Sequence, residues 1–421
     1  MITKRKHSSN GIKLVTITGL PTQAVTISVY IKAGCRFDPV NRLGIAHFTE
    51  HMAFSKTKSF GNSQILARAI EQYGGSHWAF TWIDHQNHIV HLPKEHFDIG
   101  AKVLSETLFD LMIEDSEVEK EKGVIKEEIL RNRSDPSKAI WDYVWFPLFF
   151  QGTPMARPYS GTEKDINLIT SQDVQSFVKR NFTPQDMVIF VAGEIEQKDV
   201  EDIVEKYFVK IISNNEKRIP NLISDLKNPT LALQDENYHQ SSLVIGVKTV
   251  PFTSDKKYAL EIVKEMLGGY FGAPLIYKLR EEGGLIYTWE AFQDNLIDTG
   301  YLVMNVSVAH ENVARVSEKI LNEFERLSRG DFLEEEVETA KSHLVGSLLS
   351  NTERGRDYIN LYALQELIDP NNFKELNDLI EFYKKISLGD IKKVAAEFIK
   401  KENILLGAIG RVDNDQLSSL L

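Results

Sequence analysis

One cysteine in 421 residues, Cys35, leaves the chain without any intramolecular disulfide, so its fold must rest on packing and suits a reducing compartment. Long apolar runs are also missing. The longest, Tyr143 to Phe150, holds Pro147 and falls far short of the roughly 18 residues that cross a bilayer, so no membrane anchor is expected. Basic excess is absent too: a net charge of −11 and a pI near 5.6 exclude a general nucleic-acid binder, which needs concentrated cations against phosphate. The N-terminal stretch, Met1 to Asn10, is basic but lacks the apolar run of a secretory signal, and a cytoplasmic protein is expected.

What the chain does have is length and 42% hydrophobic residues, enough for two cores. Apolar runs at Thr26 to Ile31 and Val188 to Ala192 read as buried strands, the second closed by Gly193. Helical periodicity marks Ser171 to Arg180 and Gln197 to Phe208. The order of helix, strand and glycine returns in the second half at one constant offset and without a gap: Asp173 maps to Asp390, Val174 to Ile391, Phe182 to Ile399, Ile189 to Leu406 and Gly193 to Gly410. This predicts an α+β protein made by internal duplication, two domains of similar α/β-sandwich architecture, each a mostly antiparallel sheet packed with helices. The polar stretch Asn214 to Pro229, with Pro220 and Pro229, is the expected linker, giving domains 1–219 and 220–421.

The chemistry concentrates in Gly44-Ile-Ala-His-Phe-Thr-Glu-His-Met-Ala-Phe54. On a helix, His47 and His51 are four apart and leave from one face, close enough for two imidazoles to grip one ion, and Glu50 lies on the same side. Zinc accepts imidazole nitrogens, and a catalytic site uses three protein ligands while keeping a position for water, whose proton Glu50 can take. This is the inverted zincin pattern H-x-x-E-H. At the offset of the duplication the second half carries Lys264, Leu267 and Gly268, so it has no such site. A third ligand is sought in the carboxylate-rich helix Glu119 to Arg131. Glu121 and Glu128 stand seven apart on one face, so one can ligate while the other supports the site, and Glu127 points elsewhere.

These residues resemble the pitrilysin family of inverted zincin metallopeptidases, especially its short members similar to mitochondrial processing peptidase. In that family a glutamate ligand lies well downstream of the motif in a segment like E-x-x-V-I-x-x-E, which Glu121-Lys-Gly-Val-Ile-Lys-Glu-Glu128 matches in sequence and in its distance from His51. The resemblance assigns His47, His51 and Glu128 to one zinc ion per chain, Glu50 as base and Glu121 as support. Ala33-Gly-Cys-Arg36, Gly74-Gly75 and Arg157-Pro-Tyr-Ser-Gly-Thr162 look like further family landmarks in family order. It also points to Arg280 and Tyr287, seven apart around a Gly-Gly turn, as donors to the substrate carbonyl and developing oxyanion.

The resemblance implies an endopeptidase acting on extended or unfolded peptides inside a chamber, where the peptide adds to a sheet edge. Short relatives build that chamber from two chains, so a homodimer is expected, with a heterodimer containing a related subunit as the other arrangement. The alternative function is a non-catalytic peptide-binding or scaffold subunit. One departure stands out: relatives usually carry an asparagine where this chain has Trp78, and Trp78 and Trp82 offer an apolar pocket wall instead. His85, His88 and His91 suggest a second metal only superficially, because on a strand His88 faces away from the other two.

Overall fold

In the strand Ala24–Ile31, Val25, Ile27, Val29 and Ile31 alternate with Thr26, Ser28 and Tyr30, and both sets are buried, the mark of a strand covered on two faces. The computed structural model describes residues 2–209 and 231–421 and shows where those faces go. Six strands, β1 (Ile2–His7), β2 (Lys13–Thr18), β3 (Ala24–Ile31), β4 (Ser76–Thr81), β5 (Gln86–Pro93) and β6 (Met187–Gly193), form a first sheet in the order β1-β2-β6-β3-β5-β4. Only the β2–β6 pair is parallel. A second sheet contains β7 (Leu231–Asp235), β8 (Ser241–Thr249), β9 (Ile286–Asn295), β10 (Gly300–Val308) and β11 (Ile404–Gly410) in the order β7-β11-β8-β10-β9, with β7–β11 parallel. Without β1, the two orders are the same, and β6 and β11 match at both ends at the offset that relates Gly193 to Gly410.

The duplication extends to the helix caps. Four helices matter below: α1 (Ile45–Ala53), α2 (Asp115–Arg133), α3 (Ser171–Asn181) and α4 (Gly355–Ile368); α5 (Leu388–Phe398) is the counterpart of α3. Thr170 caps α3 and Ser387 caps α5, each in a reciprocal box with an aspartate three residues on, Asp173 and Asp390. The sequence periodicity placed the helix Gln197–Phe208 at its observed ends.

Two compact units result, Met1–Ile129 with Tyr159–Asn221 and Asn351–Phe373, and Leu130–Pro158 with Leu222–Ser350 and Lys374–Leu421. Each therefore contains one segment from the opposite half of the duplication. In the first unit α4 covers the face of the sheet built by Val15, Tyr30, Val188 and Phe190, using Ile359, Tyr362, Ala363 and Leu367. Gly355 permits this: a Cβ there would lie 2.8 Å from the Cβ of Ala192. In the second unit Val144 sits against Gly407 of β11, where a Cβ would meet it at 2.7 Å. The linker and the boundary expected near residue 220 lie outside the described residues.

Candidate metal centre

The opposite face of the first sheet carries α1. Its start is held from two sides. Gly44 has φ of +80°, and a Cβ would lie 2.4 Å from the Ser160 carbonyl oxygen, so only glycine lets the chain turn into α1 against the Arg157 to Thr162 segment. The Asp38 carboxylate accepts the Gly44 and Ala46 amides at 2.7 and 3.0 Å, satisfying donors that the helix itself cannot. Gln86 of β5 donates to the Ala46 carbonyl at 2.6 Å. With Ile45, Ala46, Phe48, Met52 and Ala53 buried, the remaining face offers His47, Glu50 and His51.

Three ligating groups converge on that face. The Nε2 atoms of His47 and His51 are 3.2 Å apart, and Glu128 of α2 brings its carboxylate oxygens to 3.2 Å from His51 Nε2 and 3.8 Å from His47 Nε2. Donor atoms at about 2.0 to 2.1 Å from one tetrahedral ion are roughly 3.3 Å from each other, so this spacing fits zinc. Among the described residues this is the group of histidines, cysteines and carboxylates able to hold a metal ion. His51 Nδ1 is 2.8 Å from Glu121 Oε1; the proton on Nδ1 donated to that carboxylate leaves the Nε2 lone pair for a metal. Tyr159 meets the His47 ring edge-on at 5.1 Å between centroids.

Without metal, charge is divided unequally between the two imidazoles. Burial drives the His47 pKa down to about 3, helped by His51. Burial opposes charging of His51 as well, but the hydrogen bonds to Glu121 and Glu128 outweigh it and raise that pKa to about 9. Below that value His51 carries a proton that a metal must displace, so zinc affinity is expected to rise with pH and level off above it. At pH 7, zinc titration calorimetry in buffers of different ionisation heat should register about one proton released per zinc. No release would contradict the assignment of His51. Glu50 is also raised, by burial above all, with His51 and Thr81 drawing it back.

Replacing Glu121 by Gln keeps the shape but weakens the acceptor behind His51. Zinc affinity is expected to fall about 10- to 100-fold, read by competition with a chromophoric chelator. An unchanged affinity would mean that Glu121 does not orient the ring.

Several residues play parts that the sequence did not disclose. Asp38, Thr81 and Tyr159 frame the centre, and the only sequence signal among them was the place of Tyr159 in the Arg157 to Thr162 landmark, which gave it no role. Trp78 leaves β4 on the side away from α1, with the Arg356 guanidinium 5.6 Å above its ring, and so does not wall the metal side. His88 packs between Phe54 and Phe182, while His85 stacks on Tyr30 and His91 pairs with Thr26, in agreement with the opposite facing expected for His88. In the second unit, Lys264, at the offset position of His47, pairs with Glu265 at 2.6 Å, and Glu265 lies 2.7 Å from His343 Nδ1, so this place holds polar contacts instead of a ligand set. Arg280 and Tyr287 belong to this unit; Arg280 lies over Phe271 and Trp289, and Tyr287 is 79% exposed.

Residues 13–163 match the family model "Insulinase (Peptidase family M16)" and residues 168–344 match "Peptidase M16 inactive domain". The chain belongs to peptidase family M16. An uncharacterized zinc protease of Bacillus subtilis, YmxG, is 24% identical over 96% of this chain and 97% of its own length. The mitochondrial-processing peptidase subunit beta of Lentinula edodes is 24% identical over 96% of this chain and 89% of its own. A solved protease from Helicobacter pylori superposes with a TM-score of 0.86 at 20% identity, covering 97% of this chain and 99% of that one, which shows a shared fold. The model matching the later residues is named for an inactive domain, and it spans Lys264, Leu267 and Gly268, where the ligand set is missing. Among the described residues no helix is long and apolar enough to cross a membrane.

Proposed function

We propose that this M16 chain is a zinc-dependent endopeptidase that hydrolyses extended or unfolded peptides, with His47, His51 and Glu128 holding one zinc ion and Glu50 as general base. The observation that carries the reading is the convergence of two imidazole nitrogens and a carboxylate within 4.8 Å of one another, on the same helix face as Glu50. Zinc bound there supplies a Lewis acid for the scissile carbonyl and makes a water molecule more acidic. Glu50 takes the proton from that water and passes it to the departing amine. Burial lifts its affinity for a proton toward the range in which one carboxylate can do both. Glu121 keeps the His51 ring in the orientation that ligation needs and holds the remaining proton on Nδ1 once Nε2 has lost its own. Arg280 and Tyr287, from the second unit, are assigned to hold the carbonyl oxygen as it gains charge, supported by the chemistry of a guanidinium and a phenol.

The chain is taken to act in the cytoplasm as a homodimer; the related beta subunit of a processing peptidase supports the heterodimer as the competing arrangement. The duplication boundary near 220 is kept as the division between a metal-binding half and a half that contributes Arg280 and Tyr287. A scaffold role has one observation behind it, the inactive-domain match over the later residues, and that match does not include the ligand set. Zinc content of the purified protein together with cleavage of unstructured peptides tests the proposal. A protein that binds peptides, contains stoichiometric zinc and cleaves nothing would instead be the scaffold.

A further inference from the structure

β4 is an edge strand, and its two faces differ. His77, Ala79 and Thr81 point to the side of α1 and Glu50, whereas Ser76, Trp78 and Phe80 point to the side covered by α4. On this second side the start of α4 places two exposed guanidiniums, Arg354 and Arg356, and neither has a carboxylate partner among the described residues. Two acids share that turn: Asp357 accepts the amides of Glu353 and Arg354 on Oδ2 at 3.4 and 2.8 Å, and the Glu353 side chain is exposed to solvent. Arg356 lies over Trp78 at 5.6 Å, which steadies its planar fork beside the strand edge. His91, paired with Ser76 across β4 and β5, feels the same charges: burial first, then Arg356 and Arg354, hold its imidazole below the usual range.

We propose that Arg354 and Arg356, with Trp78 as platform, form a subsite for an acidic side chain of a peptide paired as an added strand on β4. The inference rests on the peptidase reading for the peptide's presence at this edge, and it adds a charge preference to it. An added strand alternates its side chains between the two faces, so the carboxylate belongs at every second position, out of phase with side chains that face α1. A bidentate guanidinium contact then favours glutamate over its neutral isostere, and the unpaired charges cost least when such a peptide arrives. A peptide with lysine or arginine at those positions meets like charge.

The test uses short labelled Ser/Ala/Val peptides in which one Glu or Gln is moved along the sequence. Binding to the full chain carrying Glu50→Gln is followed by fluorescence anisotropy at low salt, and cleavage by the unsubstituted protein is followed separately. Glu is expected to bind about five- to tenfold more tightly than Gln at alternate positions, with the ratio shrinking as salt screens the contact. Arg356→Gln should bring the ratio to about 2 or less, and Arg354→Gln with Arg356→Gln to about 1, while Arg356→Lys retains part of it. A Glu/Gln ratio near 1 in the parent, or one that survives the double substitution, overturns the subsite even if peptides are cleaved. Preferential binding without cleavage supports the subsite and removes the peptidase reading. Absence of both binding and cleavage removes both.

Discussion

Glu50→Gln is expected to abolish nearly all peptide cleavage while leaving zinc in place. The carboxamide has the size of the carboxylate but cannot accept a proton, and general-base catalysis is worth about 10²- to 10⁴-fold in rate, or roughly 3 to 5 kcal/mol of barrier. Glu50 is not within the group of ligating residues, so the two imidazoles and Glu128 should retain the metal. Removing a buried carboxylate beside Glu128 also removes a like charge. The decisive measurement pairs kcat on an unstructured peptide with metal analysis of the same preparation. A fall in kcat with zinc unchanged locates the loss in proton transfer. Equal turnover by parent and variant would remove Glu50 from the mechanism, and loss of zinc would make it part of the ligand set instead.

Asp84→Ala is expected to destabilise the first unit by about 3 to 5 kcal/mol. Arg36 is fully buried, its side chain 0% exposed, and its Nε lies 2.5 Å from Asp84 Oδ1, itself 4% exposed. The surrounding backbone leaves no room to rearrange. Gly34 is pressed so closely on the hairpin turn that a Cβ would stand 2.3 Å from the Trp82 carbonyl oxygen, and the Cys35 and Arg36 amides donate to the Trp82 and Ile83 carbonyls at 3.0 and 2.9 Å. Deleting the carboxylate takes an ion-pair partner away from a guanidinium held out of water, and the cost exceeds anything the ion pair contributes when intact. Urea unfolding followed by tryptophan fluorescence would show the first transition moved to markedly lower concentration. Arg36→Leu combined with Asp84→Leu should cost less than Asp84→Ala alone. A single-substitution loss under about 1 kcal/mol would mean that water reaches Arg36.

Much of this arrangement was legible in one dimension. His47, Glu50 and His51 belong to one helix, and the side on which they emerge follows from their spacing alone. The internal repeat likewise appears in the sequence because both copies kept the same caps and the same glycine after the last strand, Gly193 and Gly410. Glu121 and Glu128 were recognisable as a pair on one face, but residue type does not say which carboxylate reaches Nδ1 and which reaches Nε2 of His51; their height along α2 against α1 does. Arg36 was visible only as a landmark, since its partner is far along the chain at Asp84 and nothing local announces a buried charge. Standing where relatives carry an asparagine, Trp78 suggests, with Trp82, an apolar pocket wall. The phase of β4 sends it instead to the side of Arg356.

The sequence by itself determined the motif, the duplicated α+β plan and the ends of several elements, because spacing on a helix or strand is a property of consecutive residues. Tertiary structure alone decided that α4 covers the first sheet, that the Pro136 to Phe149 segment belongs with the second, and that Arg36 meets Asp84. Those outcomes depend on which glycines admit a neighbour's Cβ and on which buried charge finds an opposite charge. Both are settled by close packing between residues far apart in the chain, and local periodicity carries no record of them.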